Sequence, residues 1–179
     1  VDGSSGGLQF GGDSRIGDNL ILGILFSWDS LHTDFDTDED GFSYGDDAFR
    51  GTSEPAWASG SRVDPGGFSG GALRVLLGGI DGTDITDMSG GWQKSFNLAG
   101  PGKPGLTRQY DRNQFRNCES DEVTQLMVSV DGVPVDVGAN DYWMEIEGDG
   151  NGGPTRSTGW ARFSKNLGTL AAGPHTITI

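Results

Sequence analysis

Thirty-two glycines spread through 179 residues leave few stretches that could hold a helix of three turns. Doublets at positions 6-7, 11-12, 66-67, 70-71, 78-79, 90-91 and 152-153 follow no fixed period, so they read as loop chemistry and not as a solenoid. Between the glycines, apolar and polar residues alternate with the period of a strand. Leu73, Val75 and Leu77 share one face; so do Trp92, Lys94, Phe96 and Leu98, with Gln93, Ser95 and Asn97 opposite. Leu126, Val128 and Val130 form a third set, ended by the turn Asp131-Gly132. Tyr142, Met144 and Ile146 alternate with Trp143, Glu145 and Glu147, and His175, Ile177 and Ile179 alternate with Thr176 and Thr178. The longest stretch free of Gly and Pro, Leu106 to Asp131, reads as two strands joined around residues 117–121. The pattern predicts an all-β chain: an antiparallel two-sheet sandwich, a jelly roll, with an immunoglobulin-like arrangement as the competitor.

The length suits one well-buried core, so residues 1–179 read as a single β-sandwich domain. Residues 1–34 form an N-terminal segment of unassigned role, and 35–179 the jelly-roll-like region. The apolar run Leu20 to Phe26 is far too short for a membrane span, which needs roughly 20 apolar residues. It reads as a buried strand, or two broken at Gly23. No basic region precedes it, so it does not read as a signal-peptide remnant, and the chain reads as a processed product or an excerpt.

Twelve Lys and Arg against 26 Asp and Glu give a formal charge of -14 and a pI near 4.2. That balance excludes a nucleic-acid footprint and disfavours an anionic membrane surface. It suits cations and solubility in salty surroundings. Only six of the acids are Glu; the other twenty are Asp, a good turn residue and a hard-cation ligand. Cys118 stands alone and forms no intrachain disulfide, so it reads as a bystander thiol.

The strongest local motif is Asp36-x-Asp38-x-Asp40-Gly41, the front half of an EF-hand calcium loop. The last ligand position of that 12-residue scheme falls on Asp47. The flanks are not helical, so the reading is a calcium loop in a β context, or else a solvated acidic turn. Glu119, Asp121 and Glu122 form a second acidic group. Glu119 and Asp121 point the same way if extended, and a cation between them or plain solvent exposure relieves their repulsion. Asp81 to Asp87 and Glu147 to Asn151 read as turns.

The two histidines, His32 and His175, sit in no metalloprotease or nucleophile motif, and the Glu-x-Asp-x-x-Glu strand of jelly-roll glycosidases is missing. A non-catalytic chain is expected. Trp57, in the turn-like Ser53 to Gly60, and Trp143, beside Glu145, suggest a flat apolar platform with hydrogen-bonding groups, suited to a sugar ring. Burial of Trp143 is the competing reading. Trp92 and Trp160 read as core.

Several segments carry a family likeness: Phe35 to Phe42, Asp46-Asp-Ala-Phe-Arg-Gly51, Gly70 to Gly79, Met88-Ser-Gly-Gly-Trp92, Glu119-Ser-Asp-Glu122, Val128-Ser-Val-Asp-Gly132 and Asn166 to Thr176. Over roughly residues 35–179 the chain resembles the concanavalin-like or MAM-like jelly rolls of large secreted bacterial surface proteins and polysaccharide-degrading enzymes. The resemblance implies an accessory module, secreted or at the cell surface. Such sandwiches commonly run on past the strand that here ends at Ile179, so the missing strand is expected from the N-terminal run or from a neighbouring molecule. The expected function is a calcium-stabilised module that binds extracellular polysaccharide. The alternative is a structural subunit of a surface layer, adhesin or filament, assembling with itself by strand exchange.

Overall fold

The computed structural model describes residues 26–28, 31–33, 35–53, 56–79, 87–114, 123–135, 138–147 and 156–179. Every regular element among them is a strand, and every pairing is antiparallel. The strands are β1 (Phe26–Trp28), β2 (Leu31–Thr33), β3 (Ser43–Asp46), β4 (Trp57–Val63), β5 (Ala72–Gly78), β6 (Gly90–Leu98), β7 (Gly105–Tyr110) and β8 (Asn113–Gln114). They continue with β9 (Val123–Leu126), β10 (Ser129–Val130), β11 (Val133–Pro134), β12 (Met144–Glu147), β13 (Arg156–Ser157), β14 (Ala161–Asn166) and β15 (Gly173–Thr178).

Five strands form one sheet in the order β11-β10-β15-β6-β3. The other pairings are β1-β2, β4-β5, β7-β14, β8-β13 and β9-β12. The alternations explain which side chains turn inward. Leu73 and Val75 of β5, Trp92 of β6, Leu106 and Tyr110 of β7, Phe163 of β14 and Ile177 of β15 meet in one buried cluster. Leu126, Val128 and Val130 join it, so the predicted alternation holds even though the chain there divides into β9 and β10. Each such side chain contributes about 1.5–3 kcal/mol by leaving water. Where the pattern predicted two strands between residues 106 and 131, the described residues there hold four short ones: β7, β8, β9 and β10.

The inward face of β7 also carries a surprise. Arg108 and, just past the strand, Arg112 continue the Leu106/Tyr110 alternation and are buried. Arg112 Nη1 donates to the Thr124 carbonyl at 3.1 Å, and burial pulls its guanidinium down to about 10.

The terminal strand corrects one expectation. Rather than lying at an open edge, β15 is paired on both sides, with β6 from Gly173↔Leu98 to Thr178↔Gln93 and with β10 at Ser129↔Thr178 and Val130↔Ile177. Among the described residues the edge on that side is β11, two residues long and ending in Pro134, which has no N–H to offer a further strand. A two-residue turn connects β10 to β11, with Asp131 and Gly132 both left-handed at φ 52° and 78°. That geometry matches the twist of a tight hairpin.

Candidate functional site

The acidic loop is built from contacts that reach far along the chain. The Phe42 N–H donates to the Glu39 carbonyl at 2.9 Å, and Asp40 and Gly41 between them are left-handed at φ 48° and 72°. The Asp40 N–H donates to Asp38 Oδ1 at 2.7 Å. Asp36 Oδ1 accepts from the Gly71 N–H at 2.8 Å. Arg62 Nη1 donates to the Phe35 carbonyl at 2.8 Å and the Asp36 carbonyl at 3.2 Å. Asp40 Oδ2 accepts from Lys94 Nζ at 2.7 Å. The Asp47 N–H donates to the Ser89 carbonyl at 3.0 Å.

A calcium loop of this spacing aims its alternate carboxylates at one centre. Here the carboxylate of Asp36 meets a backbone amide of another loop, that of Asp38 an amide of its own turn, and that of Asp40 an ammonium. Among the described residues no three His, Cys, Asp or Glu side chains converge to hold a metal ion. As arranged, Asp36, Asp38, Asp40 and Asp47 do not fit a calcium site. Glu119, Asp121 and Glu122 lie outside the described residues, as does Cys118.

The aromatic residues fall into a different arrangement from the one the alternation suggested. Trp57 opens β4 opposite Gly78 and remains 44% exposed. Its indole lies where a Cβ at Gly78 would stand, so the glycine is what lets the ring rest across β5. Trp143 is turned inward instead of outward. Its ring meets Phe163 edge to face at 4.8 Å, and its Nε1 donates to the Val135 carbonyl. The reason is local: β12 begins only at Met144, so Trp143 is outside the strand whose parity placed it beside Glu145. Glu145 is exposed on β12 and accepts from Gln125 Nε2, its cross-strand partner, at 2.7 Å. Burial first, then the neighbouring Glu145 carboxylate, push the Tyr142 phenol up.

Trp92 is core, as expected, with its Nε1 donating to the Arg74 carbonyl at 3.2 Å. Trp160 is not. It is half-exposed and stands edge to face with Phe68, itself 55% exposed, at 6.1 Å. Phe68 belongs to the loop between β4 and β5, and Trp160 to the step between β13 and β14.

That step is a bulge. Register runs from Ser157↔Asn113 to Ala161↔Tyr110, so residues 158–160 oppose only 111 and 112. The bulge is lined with polar groups. Asp111 accepts from Ser157 Oγ at 3.3 Å and from Asn113 Nδ2 at 3.2 Å. Ser157 Oγ accepts from the Gly159 N–H at 3.0 Å. Thr158 Oγ1 accepts from the Arg112 N–H at 3.0 Å. Bulges re-aim side chains, and Trp160, the last residue of this one, is left partly exposed against Phe68.

A sequence signal for this pair does exist. Phe68 stands among Pro65, Gly66, Gly67, Gly70 and Gly71, where no strand can bury it, and Trp160 follows Thr158-Gly159. By contrast β4 is seven residues long, which sets Trp57 about 20 Å from the far end of its own strand, where the Phe68 loop begins. The two exposed aromatic features therefore sit at opposite ends of one hairpin. No protein-family model, curated protein or solved structure matches this chain, so what it does is read from this geometry.

Proposed function

We propose that this chain is a non-catalytic extracellular module, an antiparallel jelly-roll sandwich, that binds an uncharged polysaccharide. The observation that carries the reading is the edge-to-face pair of Phe68, exposed on its loop, and Trp160, partly exposed on the polar bulge. Flat apolar rings beside a few fixed hydrogen-bonding groups are what a pyranose requires: its C–H face stacks, and its hydroxyls find Asp111, Asn113, Ser157 and Thr158. Asp111 is already engaged by Ser157 and Asn113, which suits a group that orients hydroxyls better than one that shuttles protons. The formal charge of -14 selects against uronate or sulfated polymers, which this surface repels. The acidic, Asp-rich composition supports an extracellular setting.

The test is isothermal titration of the chain with soluble uncharged glycans, alongside anionic ones. Trp160→Ala and Phe68→Ala are each expected to weaken binding about tenfold, the equivalent of about 1.4 kcal/mol. Trp57→Ala locates the ligand: a large loss there, with none at Trp160, moves the site to the other end of the hairpin. Absence of binding to any glycan, or unchanged binding in all three variants, overturns the reading.

A further inference from the structure

Lys94 shares its face of β6 with the core residue Trp92, and only 24% of its side chain is exposed. An ammonium in such a place is costly unless a partner meets it. Its Nζ donates to Asp40 Oδ2 at 2.7 Å and lies 5.3 Å above the Phe42 ring. The Lys94 Cε is also the atom nearest to where a Cβ at Gly41 would stand, at 3.8 Å. One lysine of β6 thus meets three successive positions of the tight turn, Asp40, Gly41 and Phe42. At the other end of the loop Arg62 supplies a second cation to the Phe35 and Asp36 carbonyls.

Divalent calcium and an ammonium answer the same electrostatic need in a turn rich in aspartate. They differ in geometry: calcium takes six to eight oxygens from all sides, while an ammonium offers three donors from one side. The carboxylates here have the second pattern, since Asp40 turns to the ammonium while Asp36 and Asp38 turn to backbone amides. We propose that Lys94 is a built-in counter-ion: its ammonium closes the Asp36-x-Asp38-x-Asp40-Gly41 loop in the role that this spacing otherwise assigns to calcium. The cation is carried on β6 at fixed stoichiometry, so order in the loop is independent of calcium in the surroundings.

Thermal melts of the full chain with calcium chloride and with EDTA test this, together with Lys94→Met, Lys94→Arg, Asp40→Asn and the Lys94→Met/Asp40→Asn double variant. Wild-type and Lys94→Arg are expected to melt at the same temperature with and without calcium. Lys94→Met keeps the apolar stem and loses the charge. Its melting temperature is expected to fall by about 2–4 °C in EDTA and to recover in calcium. The double variant is expected to show no calcium response, because Asp40 no longer offers a carboxylate. A wild-type melting temperature that drops on chelation overturns the proposal, as does saturable calcium binding that Asp40→Asn abolishes. A Lys94→Met protein as stable as wild-type, or one that calcium fails to rescue, also overturns it. Should Lys94→Met fail to fold, the wild-type chelation melt and Lys94→Arg still decide.

Discussion

Both ring nitrogens of His175 face acceptors: Nδ1 stands 2.7 Å from Asp131 Oδ2, and Nε2 stands 3.0 Å from the Ala171 carbonyl. Two acceptors require two N–H donors, which only the imidazolium provides. The hydrogen bond to Asp131 and then that to Ala171 raise the pKa of His175. The bond from His175 and then the Thr176 N–H lower that of Asp131. The two signs define a window. The histidine's share of stability is complete below the ordinary histidine value of about 6.5 and is lost as pH rises through the raised one. The aspartate's share is present above the ordinary carboxylate value of about 3.9 and is lost as pH falls through the lowered one. The difference in melting temperature between wild-type and His175→Gln is therefore expected to be largest between about pH 4 and 6.5. It is expected to shrink on the alkaline side; a difference that grows there refutes the doubly bonded imidazolium.

At the scale of elements, the start of β5 is shaped by the loop it receives. The Gly71 N–H is bonded to Asp36, and a Cβ at Gly71 would overlap the Phe35 backbone carbonyl. Backbone cannot move aside as a side chain can, so Gly71→Ala is expected to cost about 1–3 kcal/mol in urea unfolding, the range for overpacking. Among the described residues nothing lies within 4 Å of where a Cβ at Gly51 would stand, and Gly51→Ala is expected to stay within about 0.5 kcal/mol of wild-type. The doublet at 70-71 was legible as a loop, but its reason was not. Alternation shows where a strand runs and leaves open which other segment will press on its end.

Across the whole molecule, the charge of -14 works against compactness, because like charges are brought together on folding. Sodium chloride screens that repulsion, so the melting temperature is expected to rise as salt increases from low ionic strength. A fall with salt would mean that pairs such as Lys94–Asp40 and Arg50–Asp141 outweigh the net repulsion. The core is shared by strands from most of the sheets. Leu73→Ala, at a fully buried position, is expected to cost about 2–5 kcal/mol in the same urea assay.

Glycine spacing and period-two alternation, both local properties of the chain, were enough to determine an all-β antiparallel protein and to assign most inward faces. They also placed Lys94 on one face with Trp92, Phe96 and Leu98, and left open what meets its charge. Only the tertiary structure decided the partners. Lys94 meets Asp40 from 54 residues away, and Phe68 meets Trp160 across a bulge that shifts the register of β13 and β14. Parity extended back to Tyr142, two residues before the strand begins, offered Trp143 an outward place beside its competing burial, and the structure turns it onto Phe163. Alternation is set by backbone geometry within a strand, so the sequence carries it directly. Which ends of which strands meet depends on pairing across the chain, and that pairing brings Phe68 to Trp160 and Lys94 to Asp40.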